Sequence, residues 1–121
     1  MSCFSRFYKK EKMISKTLEI DENLYCELEK LSDNIYDASI SKLVNAAIEN
    51  LLKTKDIKIY RREDTVRVTR SFLIKENLLE GLYELKRKYT ISINLLVNIA
   101  IRNAILEEKL EEKEEVTSVS H

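Results

Sequence analysis

The sequence predicts a mainly α-helical fold that carries one short antiparallel two-stranded β-ribbon. Three features of the 121 residues lead there: two segments in which apolar and polar residues alternate, four segments with helical apolar spacing, and a repeat relating the first half to the second. Strict alternation marks a half-buried strand, and apolar residues three and four apart mark one face of a helix.

The first strand is Ile14–Ile20, with Ile14, Leu18 and Ile20 on one face and Ser15, Thr17 and Glu19 on the other. Helix A follows Asp21, a residue suited to capping, and carries Leu24, Leu28 and Leu31 on one stripe. Helix B starts at Ser39, another capping residue, with a stripe of Leu43, Val44, Ala47, Ile48, Leu51 and Leu52. A basic linker, 54–65, leads to the second strand. There Val66, Val68, Phe72 and Ile74 face the core, and Arg67, Thr69, Ser71 and Leu73 face away. Lys16 and Arg70 fall in equivalent inward slots, where a long stem can lie on the core and bring its charge out. The second helix A carries Leu78, Leu82 and Leu85 but has Lys75 at the cap position, which predicts a poorer start. The second helix B begins at Ser92 and repeats the stripe as Leu96, Val97, Ala100, Ile101, Ala104 and Ile105.

The repeat is explicit in the residues. Ile20-Asp21-Glu22-Asn23-Leu24 matches Ile74-Lys75-Glu76-Asn77-Leu78 at an offset of 54, and Ser39-Ile40…Leu43-Val44-Asn45-x-Ala47-Ile48 matches Ser92-Ile93…Leu96-Val97-Asn98-x-Ala100-Ile101 at 53. One residue is expected to be lost from the loop between the two blocks, where length varies most readily. The units are 14–53 and 66–106. They are flanked by a basic, flexible arm over 1–13 and an acidic stretch over 107–121, read as a helix extension that frays at 116–121. A unit of this size has too little interior to stand alone, and its single strand would leave backbone groups unpaired. Two units solve both problems if their strands pair antiparallel under four helices.

Composition removes most alternatives. One glycine and no proline exclude collagen-like, turn-rich β and glycine-rich phosphate-loop chains. One histidine, at position 121, and two cysteines, Cys3 and Cys26, give no disulfide framework, metal spacing or catalytic constellation. No cofactor and no enzymatic activity are expected. There is no apolar run long enough for a membrane span, and the first residues lack a signal peptide's apolar core, so a cytoplasmic location is expected. The overall charge balances but its distribution does not. Residues 107–121 hold six acids and two lysines, net −4, leaving 19 bases against 15 acids, +4, in residues 1–106. Such asymmetry points weakly to a polyanion partner.

The alternating strand, the Ser39-x-Ser41 and Ser92-x-Asn94 starts of helix B, and its Leu-Val-Asn-x-Ala-Ile core resemble the ribbon-helix-helix (Arc/Met-repressor-like) family, here as two fused copies in one chain covering about 14–53 and 66–106. The resemblance implies a tandem ribbon-helix-helix pseudodimer: a sequence-specific, double-stranded-DNA-binding transcriptional regulator whose ribbon enters the major groove, the groove wide enough for a two-stranded ribbon. It puts Ser15, Thr17, Glu19, Arg67, Thr69, Ser71 and Leu73 on the base-facing side. Phosphate anchoring would fall to Ser39, Ser41, Ser92 and Asn94 at the starts of helix B, with Lys16 and Arg70 beside them. If Thr17 opposes Ser71, then Glu19 opposes Thr69 and Arg67 lies on the diagonal within reach of Glu19.

Departures from the family's pattern are specific. Glu19 and Leu73 stand where family ribbons offer cationic or amide side chains, and Ile40 and Ile93 follow the cap serines. Non-specific affinity would then come from the arm and from Lys58, Arg61 and Arg62. The second helix B also carries surplus apolar residues, Leu95, Ile99, Leu106 and Leu110, where the first has Lys42, Ala46 and Lys53. That stripe suggests a seam for a homodimer of pseudodimers or for a protein partner, or a dock for Phe4, Phe7 and Tyr8 of the arm. A second functional class, an antitoxin-like protein-interaction module, shares the same scaffold.

Overall fold

A computed structural model of the chain describes residues 12–36, 38–61 and 66–119, with side chains through Glu111. The fold is mainly helical, with a two-stranded antiparallel sheet and four helices. Strand β1 is Met13–Asp21, and helix α1 is Glu22–Lys30 with a π-helical last turn, Leu31–Tyr36. Helix α2 is Ile40–Thr54, strand β2 is Arg67–Lys75, helix α3 is Glu76–Tyr89 and helix α4 is Ile93–Val119. The backbone stays helical to Val119, past the expected fraying point at 116. No single helix among the described residues is long and apolar enough to cross a membrane.

The ribbon register centres on Thr17 opposite Ser71 and runs from Met13–Lys75 to Asp21–Arg67. Paired residue numbers therefore always sum to 88, and the central pair consists of two positions equivalent in the repeat. The ladder continues one step into the helices at both ends. Glu22 N donates to Val66 O and Glu76 N to Lys12 O, each at 2.8 Å. Leu18, Ile20, Phe72 and Ile74 are buried under the helices. They meet the apolar stripes of all four helices in one core that includes Leu24, Leu28, Val44, Ile48, Leu82, Leu96 and Ile101. Val66 was expected to face the core but is 63% exposed, because β2 begins one residue later.

A two-stranded ribbon leaves an unpaired edge on each strand. Here two asparagines, one per repeat, close those edges. Asn45 Oδ1 accepts from Lys75 N at 2.9 Å, and its Nδ2 donates to Leu73 O at 2.7 Å. Asn98 Oδ1 accepts from Asp21 N at 2.8 Å, and its Nδ2 donates to Glu19 O at 2.9 Å. Each also donates one turn back in its own helix, to Ser41 O or Asn94 O, at 2.7 Å. These bonds hold the N-terminal turns of α2 and α4 against the two edges of the ribbon.

Three expectations need correction. Neither Asp21 nor Lys75 makes a side-chain cap, so the two A-type helices do not differ in that respect. Both start directly off the ribbon ladder, and the Asp21 carboxylate instead receives the Tyr60 hydroxyl. The residue that distinguishes the repeats is not in the loop. Three positions separate Tyr36 from Ile40 and three separate Tyr89 from Ile93, while the first helix is longer by one residue. The π-helical turn absorbs it, as wider i→i+5 turns do. Ile99, finally, is fully buried. The linker covers this side of α4: Ile57 and Tyr60 pack on the core, Asn103 Nδ2 donates to Asp56 O at 2.8 Å, and the Arg102 guanidinium lies 4.9 Å from the Tyr60 ring centre.

Removing the asparagine clamps tests this architecture. Asn98→Ala orphans Asp21 N and Glu19 O, and Asn45→Ala orphans Lys75 N and Leu73 O. Asp21 N is buried and the other three groups are partly so, and an unpaired buried backbone group costs about 1–3 kcal/mol. Urea denaturation should show each variant destabilised by at least about 2 kcal/mol with an unchanged slope; a loss below about 0.5 kcal/mol would mean the edges are satisfied otherwise.

Candidate nucleic-acid interface

The outer face of the ribbon follows from the period of two. With Leu18, Ile20, Phe72 and Ile74 turned inward, Ser15, Thr17, Glu19, Arg67, Thr69, Ser71 and Leu73 are all exposed on the other side. The expected outward placement of these seven side chains on the strands coincides with the structure. Thr17 and Ser71 share a hydrogen bond between hydroxyl oxygens 2.9 Å apart at the centre. The odd-numbered pairs face away from the ladder, and such non-hydrogen-bonded pairs bring side chains closest.

The two ends of the face differ chemically. At one end Arg67 Nη1 lies 3.9 Å from Glu19 Oε2, on the expected diagonal, and its Nε lies 3.9 Å from Asp21 Oδ1. At the other end Leu73, 51% exposed, stands opposite Ser15 beside the exposed Met13. The Arg67–Glu19 pair is open to solvent, which limits it to under about 1 kcal/mol. It orients the guanidinium without consuming its donors.

Both B-type helices begin as the sequence predicts. Ser39 Oγ accepts from Lys42 N at 3.2 Å and Ser92 Oγ from Leu95 N at 3.1 Å. Neither helix has an acid in its first turn, whereas α1 and α3 begin with Glu22 and Glu76. Among the described residues, the first turns of α2 and α4 thus bring no carboxylate of their own to the positive helix end, a condition that favours an outside anion.

Four expected anchoring residues also make contacts within the fold. Ser41 Oγ accepts from Leu73 N at 3.2 Å and Asn94 Oδ1 from Glu19 N at 3.1 Å, so both fasten helix starts to the ribbon. Lys16 and Arg70 are on the helix-covered face. The Lys16 ammonium lies 5.9 Å from the Tyr83 ring centre and the Arg70 guanidinium 5.1 Å from that of Tyr25. Their stems lie inward as anticipated, and their charges rest on aromatic rings. Of the linker bases, Lys58 pairs with Asp56 at 3.2 Å, and Arg62 lies outside the described residues, as do Phe4, Phe7 and Tyr8. In the expected seam Ile99 is core and Leu95 half-buried, while Leu106 and Leu110 are 41% and 62% exposed.

Asn45 and Asn98 were missed as positioning residues. The available signal was a polar residue, identical in both copies, set directly between Leu-Val and the next apolar residues of helix B; Asn50 and Asn103 are a second matched pair further along.

The outer face makes little contribution to stability. Thr17→Ala and Glu19→Gln should each shift the unfolding free energy by less than about 1 kcal/mol, measured by thermal or urea denaturation. A larger loss would place these side chains in the folding core.

No model of a known protein family matches the chain, and neither does a curated protein or a solved structure.

Proposed function

We propose that the chain is a tandem ribbon-helix-helix pseudodimer that binds double-stranded DNA and acts as a transcriptional regulator. In this reading the ribbon enters the major groove and the starts of α2 and α4 hold flanking phosphates. The observation that carries it is a solvent-facing ribbon of small polar side chains around Thr17 and Ser71, bracketed by two serine-capped helix ends with no acid in their first turns.

The chemistry of the face sets what could be read. Thr17 and Ser71 each give and accept a hydrogen bond and fit any base edge. Arg67 suits guanine, Glu19 accepts from a cytosine amino group, and Leu73 can touch a thymine methyl. Because the two ends differ, the core site is non-palindromic. Pairing of two chains through Leu106 and Leu110, one turn apart on the exposed extension of α4, would restore symmetry over two subsites.

Anisotropy titration of a duplex selected from a random pool tests the proposal. About six phosphate contacts should lower affinity roughly a thousandfold between 50 and 200 mM salt. The double variant Thr17→Ala, Arg67→Ala should keep the salt slope to within about one contact but lose preference for the selected duplex. Preference that survives in this variant would remove the ribbon as the reading head. Absence of binding at 50 mM salt would favour the protein-interaction reading.

A further inference from the structure

The Arg67 end of the ribbon face is tied to the linker. By the period of two, Asp21 falls on the same side of β1 as Thr17 and Glu19, and it stands opposite Arg67 in the register. Yet it is 1% exposed, whereas Glu19 is open to solvent. A carboxylate withdrawn from water needs hydrogen bonds or a counter-charge. Asp21 has both: its Oδ2 receives the Tyr60 hydroxyl, and its Oδ1 lies 3.9 Å from Arg67 Nε. Tyr60 is anchored apart from the ribbon, its ring packed on the core and beside the Arg102 guanidinium of α4.

Two carboxylates of different character therefore flank one guanidinium. Glu19 meets Nη1 from the solvent side, and Asp21 meets Nε from the buried side. The opposite end of the ribbon is built differently. The repeat positions matching Asp21 and Arg67 are Lys75 and Met13, which stand opposite each other in the register, a cation and a thioether without a buried carboxylate.

We propose that, in the DNA-binding reading of the ribbon on which this rests, Tyr60 is a positioning residue for base recognition. By holding the Asp21 carboxylate it sets the direction of the Arg67 fork, so a linker residue outside both repeats determines which base pair this end prefers. Arginine selects guanine through two parallel hydrogen bonds to O6 and N7, which requires a defined plane. A fork held in that plane before binding loses less freedom on contact. Without the Tyr60 hydroxyl, the Asp21 oxygen has lost its donor and Arg67 is the cation beside it. The fork is then drawn toward the carboxylate and away from the bases.

Tyr60→Phe tests this, since the ring is kept while the hydroxyl is lost. Anisotropy titration compares the full-length chain on the selected duplex and on duplexes with each base pair replaced in turn. The pair read by Arg67 is the one whose replacement ceases to matter in Arg67→Ala. Tyr60→Phe should lower discrimination at that pair at least about fivefold, hold the other pairs within about twofold and leave the salt slope unchanged. In the Arg67→Ala background the same change should have no further effect. Unaltered discrimination overturns the proposal, as does an effect that persists without Arg67, or an Arg67→Ala variant that loses preference at no pair. A loss spread evenly over the site also overturns it and makes Tyr60 a packing residue only. The free protein supplies a readout without DNA. The Arg67 Nε–H signal in NMR, identified by its absence from Arg67→Ala, should move in Tyr60→Phe. A signal that stays put while DNA binding is intact removes the positioning role alone. Absence of wild-type binding to any duplex at about 50 mM salt removes the DNA reading, and the specificity role with it, even if the signal moves. Circular dichroism establishes that each variant is folded. If Tyr60→Phe is not, Asp21→Asn, which keeps an acceptor for Tyr60 but removes the charge facing Arg67, is judged by the same outcomes.

Discussion

A strand with no neighbour is the constraint from which this architecture follows. Each repeat supplies one strand, so each needs a partner for its backbone groups on one side and another for those on its free edge. The other repeat's strand answers the first need. Asn45 and Asn98 answer the second, each spending its whole amide on the ribbon edge and its own helix. That double demand fixes where α2 and α4 begin. Their capped N-terminal turns are held at the flanks of the ribbon, and the exposed face and the two positive helix ends become one surface.

The two copies are alike where the ribbon is built and different where the chain must be continuous. Covalent fusion gives the protein one linker, and its described residues pack along α4. Ile99 and Ala46, at matching positions, record that difference: a large, fully buried side chain in the core that Ile57 and Tyr60 pack against, and a small one lining a groove. Gly81 is a second mark of asymmetry. A Cβ there would approach Leu52 Cδ1 to 2.7 Å, whereas the matching first-repeat position, Glu27, carries a full side chain. The ribbon face inherits the same unevenness, with charge at the Arg67–Glu19 end and aliphatic surface at the Leu73 end.

Periodicity and the repeat made much of this legible in the sequence. Alternation marked the inward and outward faces of both strands apart from Val66, and the Glu19–Arg67 diagonal followed once Thr17 was set opposite Ser71, a pairing the sequence reading took as a condition after the family resemblance had put both residues at the ribbon centre. Ser39 and Ser92 act as the caps their residue type implies. What escaped were features set by contacts between distant segments. Asp21 reads as a cap but is taken by Tyr60, a residue in a linker with no periodic signal. Ile99 reads as surplus surface because nothing in α4 itself shows that the linker returns to cover it. Ser41 and Asn94 read as phosphate ligands, and nothing in the sequence shows that their oxygens also accept from the amides of the strand edges. The extra residue of the first repeat was assigned to the loop, since sequence gives no cue for a π-helical turn.

We propose that the exposed ribbon, with the two helix starts beside it, is the surface that meets DNA. Two-dimensional NMR of the amide signals during titration with a selected duplex tests it most directly. Ser15–Glu19, Thr69–Leu73 and the first turns of α2 and α4 should shift together, while the groove lined by Ala46 and Asn50 stays unmoved. Shifts confined to the groove or to the far ends of the helices, with the ribbon silent, would contradict it.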